Sequence, residues 1–255
     1  MEGQLVAQRH EVLRERIRAL KAEHPFWGDR RIWASLHFVE QLSMNKKRIL
    51  RLMREHYLLV MPNPRLKAKR TPTGRQPRPT KPNEWWGIDM IKVLVEGFGW
   101  IHIVVVLDWY TKKIVGDYAG MACKAQHWLS ALDMAANVQF PDGVRGKGLS
   151  LMRDNGGQPT STAFMRACGT LGIWQAFTSD NNPKGNADTE RLMRTRKEEC
   201  LWLQEWTCPF RLIGALDSWI ADYHAHYLHS SLGYMSPRKF EQADYDSHST
   251  PFVAA

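Results

Sequence analysis

Several features are scarce in this sequence, and each scarcity excludes something. No apolar run approaches the roughly 18 residues that would span a membrane, and the opening residues, MEGQLVAQRHEVLRER, lack the apolar stretch of a secretory leader. A cytoplasmic protein with no membrane partner is expected. Four cysteines, Cys123, Cys168, Cys200 and Cys208, are scattered without a C-x-x-C pair, which argues against a disulfide framework or a zinc ribbon. Sustained heptads are absent. Acid is scarce in one region: residues 1–83 hold 19 Lys/Arg against 7 Asp/Glu, while 84–255 hold 16 against 19. The net charge of +9 therefore belongs to the first third, where it favours a polyanionic partner, most simply nucleic acid.

At 255 residues, 44% of them hydrophobic, the chain can build one substantial core and a small extra domain. Leu5, Leu13, Ile17 and Leu20 fall at helical spacing in 5–23 and predict an amphipathic helix ended by His24-Pro25. A second helix is expected over 29–38 with Ile32, Trp33 and Leu36 inward. A third runs over 44–57, capped by Ser43, with Ile49, Leu50, Met53 and Tyr57 inward. That third helix carries Lys46, Lys47, Arg48, Arg51 and Arg54 outward after a short turn, the helix-turn-helix arrangement of groove-reading proteins. Residues 62–83 hold six prolines, seven Lys/Arg and no acid, so they read as a basic extended linker.

From Glu84 the pattern becomes strand-like: strands at 85–95, 101–107 and 113–118, joined by short turns and so antiparallel. A helix over 125–138, a strand at 149–152, a helix over 162–171, a strand at 173–177 and helices over 187–203 and 210–229 follow. The order predicts a mixed α/β layer. The resulting domains are 1–61, the linker 62–83, a core 84–245 with its C-terminal helix, and a tail 246–255.

Three acids stand out in that layer. Asp89 sits in an apolar strand, where an ionised carboxylate costs several kcal/mol unless paired or bound to a cation. Asp154 ends the fourth strand in D-N-G-G, and Glu190 lies early on a helix with 35 residues between the two. Singly, each has an ordinary explanation: an ion pair with Lys92, a turn residue, a favourable charge at a helix start. Asp108 is read as a turn residue. His224, His226 and His229 are read as helix and motif residues rather than a metal cluster. Jointly, the three acids beside a basic helical module form the set that holds two divalent ions about 3.5–4 Å apart at a phosphodiester, and carboxylates suit magnesium.

At these residues a family resemblance enters. HPFWGDRRIWASL and MNKKRILRLMREHYLL, then NEWWGID, LDWYTKKIVG, RDNGGQPTS, KGNADTERLMRTRKEE and YHAHYLHSSLGYMSPRKFE, resemble the DDE transposases of bacterial insertion sequences and the retroviral-integrase catalytic core, over nearly the whole chain. The resemblance implies a ribonuclease-H-like mixed five-stranded sheet with flanking helices, preceded by a small all-α helix-turn-helix domain. It implies that the first and fourth strands lie side by side. It also implies that Asp89, Asp154 and Glu190 are the catalytic metal ligands for two Mg2+ ions, with Mn2+ as a substitute.

Cleavage of element ends and strand transfer of the 3′-hydroxyl would follow, on double-stranded DNA, in a nucleoid-associated homo-oligomer of at least two chains. Expected DNA contacts are Arg30, Arg31, Lys46, Lys47, Arg48, Arg51, Lys184 and Lys197. Members of the family often gain a further helix-turn-helix and a coiled coil by fusion to an upstream-frame product, so this chain reads as the downstream product. Ile91, Pro159, Trp174, Arg196 and Tyr227 differ from the residues usual at their positions. Two alternatives stay open: an inactive DNA-binding regulator derived from a transposase, and a ribonuclease-H-like nuclease that cuts without joining.

Overall fold

The computed structural model describes residues 2–60, 77–153, 161–177 and 185–249. They fall into two units, Met1–Arg70 with Leu228–Tyr234, and Thr71–Tyr227 with Met235–Ala255. Asp154, Pro159 and Lys184 lie outside the described residues, as do most of the linker and the last residues of the tail.

In the first unit, α1 (Glu2–Glu23), α2 (Asp29–Ala34) and α3 (Lys46–Glu55) bury one apolar stripe each. Leu13, Ile17 and Leu20 meet Ile32, Trp33, Leu36, Ile49, Leu52 and Met53. α2 starts after Gly28 and passes at Ser35 into a π-helical turn, Ser35–Val39, so the expected continuous helix changes its winding halfway. Ser43 does not cap α3. Asn45 does, its side chain accepting from the Lys47 amide, because Asn45 is the extended residue that directly precedes the first helical turn, so the helix starts two residues later than expected. Tyr57, expected inward, is 95% exposed: α3 ends at Glu55 and Tyr57 sits at φ 56, which turns its side chain off the helical stripe.

The second unit is organised by β1 (Trp85–Val95), which pairs antiparallel with β2 (Gly99–Asp108), itself antiparallel to β3 (Ile114–Gly120). On its other edge β1 takes β4 (Ser150–Arg153) in parallel, and β4 takes β5 (Trp174–Phe177) in parallel. The sheet order is β3-β2-β1-β4-β5. The unbroken apolar run of β2 follows from burial on both faces. Alternation along β1 sorts the layers. Trp86, Ile88 and Met90 face α4 (Ala125–Gln139) and α5 (Thr162–Leu171), whereas Trp85, Ile91, Val93 and Val95 face α6 (Ala187–Arg196) and α7 (Pro209–His226). α5 stops at Gly172, whose φ of 68 supplies the left-handed cap that turns the chain into β5.

Two predicted helices end early. α6 gives way at Lys197 to a π-helical turn, Lys197–Leu201, and α7 ends at His226 rather than running on to 229. A further helix, α8 (Pro237–Ser249), follows. Ser236 and Pro237 open it, the Ser236 hydroxyl accepting from the Lys239 amide at 3.4 Å.

Candidate active site

Asp89 is half-buried on β1, flanked by β2 and β4, and its carboxylate accepts from the Met90 amide at 2.7 Å. The alternation of β1 puts Asp89 on the face that carries Trp85 and Ile91, the face covered by α6. An ion pair with Lys92 is not what holds it: the Lys92 ammonium lies over the Trp100 ring, 4.5 Å from its centroid.

The helix bearing Glu190 is pinned to β1 at the two residues before Asp89. Asn186, at the N-cap of α6, donates to the Ile88 carbonyl at 3.4 Å, and the Trp109 indole donates to Thr189 Oγ1 at 3.0 Å. Both Thr189 and Trp109 occupy the space over Gly87, where a Cβ would collide with Thr189 Oγ1, Trp109 Nε1 and Asn186 Oδ1. A glycine inside a strand is a sign of such close approach. Asp188, one residue before this contact, forms an ion pair with Lys112 at 2.9 Å. The Glu190 amide donates to the Asn186 carbonyl at 3.0 Å. Its carboxylate is exposed to solvent at one side, yet the atoms packed around it strip part of its hydration and raise its pKa.

β4 ends at Arg153, a fully buried residue that donates to Gln175 at 2.7 Å and lies over the Phe177 ring at 4.1 Å. Among the described residues no cluster of three or more His, Cys, Asp or Glu side chains is gathered as a metal site; one of the three expected acids, Asp154, is not among them. The donor set nevertheless fits a hard divalent cation, since Asp89 and Glu190 offer oxygen only, and a cation relieves the desolvation that Glu190 carries.

The histidines serve other ends. His224 Nε2 accepts from the Ile114 amide at 3.0 Å, and burial, with Lys113 and Arg238 nearby, lowers its pKa to about 4. His226 pairs with Asp222 at 2.8 Å. Asp108 is buried in its turn, accepting from both the amide and the hydroxyl of Thr111, and burial raises its pKa.

Of the cationic residues, Arg30, Lys47 and Arg51 are exposed on the helical unit, and Arg31 and Arg48 are half-buried. The Lys46 ammonium lies 4.0 Å from the Trp33 centroid and 5.1 Å from that of Tyr234, in the unit's own aromatic cluster. Lys197 is half-buried where α6 becomes the π-helical turn. Sequence reasoning missed Gly87, Trp109, Lys112, Asn186 and Thr189, the residues that fix the Glu190 helix. Only Gly87 carried a local signal.

The chain matches the integrase core domain over residues 79–183 and a second integrase core domain model over 171–237, and an HTH-like domain over 8–65. It is 28% identical over 232 residues to the insertion element IS407 uncharacterized 31.7 kDa protein of Burkholderia multivorans, covering 91% of this chain and 81% of that protein. It is 24% identical over 242 residues to the transposase InsD for insertion element IS2A/D/F/H/I/K of Escherichia coli, covering 88% and 76%. In fold it is similar to a chain of the simian T-cell lymphotropic virus intasome in complex with PP2A regulatory subunit B56 gamma, with a TM-score of 0.51 at 16% identity over 87% of this chain and 76% of that chain. The mixed five-stranded sheet with its flanking helices is thus the ribonuclease-H-like integrase fold, and an HTH-like helical domain precedes it.

Proposed function

Because the chain belongs to the integrase core domain family, with relatives from bacterial insertion elements, we propose that it is an insertion-sequence transposase that cleaves element ends and transfers the freed 3′-hydroxyl into DNA. One observation carries the reading: Asp89 projects from β1 on the face that α6 covers, and α6 is fixed against β1 immediately before Glu190. The parallel register Gly87↔Met152 sets the described end of β4 beside β1, two residues before Asp89. Met152 shares the face that α6 covers, and Asp154 enters the reading from the sequence motif that follows this strand. These relations support Asp89, Asp154 and Glu190 as the holders of two Mg2+ ions, or of Mn2+ in their place. When bound, such ions polarise the phosphodiester and lower the pKa of water.

The chain's own contribution is positioning. β1 fixes Asp89 against the frame of the sheet, whereas Glu190 rides on a helix tied by hydrogen bonds at its first turn and packed on the core through Leu192 and Met193. Lys197, at the start of the π-helical turn that follows α6, contacts the DNA that enters beside it. The helical unit supplies Lys47, Arg48, Arg51, Arg30 and Arg31 for phosphate contacts, which position the duplex without reading it. Lys46 and Lys184 complete the cationic set. Element ends come in pairs, so at least a dimer on DNA is part of the reading, with the upstream-frame product as a further partner.

The test uses labelled duplexes ending in the inverted repeats that flank the gene. Mg2+-dependent cleavage at the 3′ end, followed by joining to a second duplex, supports the transposase. Cutting without joining points to a nuclease, and binding without cutting points to an inactive regulator.

A further inference from the structure

We propose that the turn between β2 and β3 is the positioning element of the Glu190 helix, with Lys112 as its central residue; the inference rests on the assignment of Glu190 to the active site. The turn is internally braced. Asp108 accepts from Thr111 Oγ1 at 2.6 Å, from the Thr111 amide at 3.1 Å and from the Asn83 amide at 3.3 Å. Lys112 adopts φ 60, in the left-handed region that lysine seldom visits, and its ammonium returns over the turn to the Trp109 carbonyl at 2.7 Å. From there it reaches Asp188 at 2.9 Å, with the lysine side chain only 13% exposed. Trp109, in the same turn, donates to Thr189. Two successive residues of α6, immediately ahead of Glu190, are therefore tied to one turn. A chance surface ion pair would be mostly solvated and would not coincide with a buried hydrogen bond one residue along.

The same turn holds the C-terminal helices. The Tyr223 hydroxyl donates to the Lys112 carbonyl at 2.9 Å, and the Ile114 amide donates to His224. Lys113 pairs with Glu241 at 2.7 Å, and the Tyr110 hydroxyl donates to Asp244 at 2.7 Å. α6, α7 and α8 thus share one anchor, and Glu190 takes its place from it. Nothing in this arrangement needs Lys112 to touch substrate; it acts through Asp188 and the backbone of α6.

The experiment compares the full chain with Lys112→Met and Lys112→Arg. Amide hydrogen exchange over 187–193 should quicken roughly fivefold in Lys112→Met, with β2 and α4 unchanged, as for loss of one partly buried charge-assisted bond. Lys112→Arg should restore the wild-type rate. In parallel, the Mg2+ concentration giving half-maximal cleavage of end DNA should rise in Lys112→Met while the KM for that DNA stays put. Unchanged exchange over 187–193, or equal acceleration throughout the unit, would overturn the inference. Should Lys112→Met not fold, Thr189→Val removes the other tie and carries the same expectations and the same refutation. Exchange reads the chain without catalysis, so a wild-type protein that cuts no DNA would sink the functional reading separately from this one.

Discussion

The Trp109 indole and the Thr189 hydroxyl meet at 3.0 Å over Gly87, so a strand, a turn residue and the Glu190 helix close on one point. The absent side chain at Gly87 lets α6 approach β1 within hydrogen-bonding range of the Ile88 carbonyl, next to Asp89. The distance between the sheet acid and the helix acid is therefore set by packing, not by either acid.

Gly87→Ala should accordingly lower stability by about 2 kcal/mol, the usual scale for overpacking, and depress cleavage further by lifting α6 from β1. Urea unfolding gives the first quantity and single-turnover cleavage the second. A variant of wild-type stability and activity would mean that the contact at Gly87 is not tight.

His224 makes the fold acid-sensitive. Its folded pKa of about 4 lies below the ordinary histidine value of 6.5 because burial, reinforced by Lys113 and Arg238, disfavours its charged form. The unfolded chain therefore binds the proton first. The stabilisation is complete above pH 6.5 and is lost as pH falls toward 4, amounting to about 2 kcal/mol by pH 5. Denaturant midpoints at pH 7 and pH 5 measure it. His224→Gln should be less stable at pH 7 but should lack this component of the pH dependence.

Much of this frame was legible in the sequence. Trp85–Val95 forms the strand that its apolar run predicts, and Thr162–Leu171 forms its helix residue for residue, because periodicity and composition agree there. Parallel pairing of β1 with β4 had to come from family resemblance, since no local pattern specifies which strand neighbours which across a long crossover. The π-helical turns at Ser35 and Lys197 were not legible, because extra winding depends on tertiary packing more than on residue type. Nor was the burial of Arg196, which lies fully enclosed on α6 with its pKa lowered by that burial and opposed by Asp117. At the site, Asp89 announces itself as an acid in an apolar strand, whereas Glu190 looks like an ordinary charge at a helix start. Trp109, Lys112 and Thr189 look like ordinary core and turn residues, and their role exists only through contacts 76 to 80 residues away in sequence.

Lys47 and Arg51 are exposed on α3, and Lys46 is committed to Trp33 and Tyr234. Replacing Lys47 and Arg51 by alanine should weaken duplex binding equally across sequences and reduce the slope of log K against log salt by about 2, one for each phosphate contact. Lys46→Ala should instead also destabilise the helical unit. Titrations at several salt concentrations, with thermal melting, separate the two. An unchanged slope would remove α3 from the interface.

Glu190→Gln should make the metal-free protein slightly more stable, by less than about 1 kcal/mol because the carboxylate is partly solvated. Removing the charge removes the desolvation that raises its pKa. The gain should vanish when Mg2+ is added to saturation, because the ionised Glu190 carboxylate binds the ion and the glutamine amide does not offer that charge. Thermal melts with and without Mg2+ decide it, and a variant destabilised in both conditions would contradict the site's electrostatics.

The most direct test is end cleavage by Asp89→Asn, Asp154→Asn and Glu190→Gln, each nearly isosteric with the residue it replaces. The account predicts that each falls below about one thousandth of wild-type cleavage in Mg2+ while still binding the same DNA. Cleavage at an undiminished rate by any of the three would contradict it.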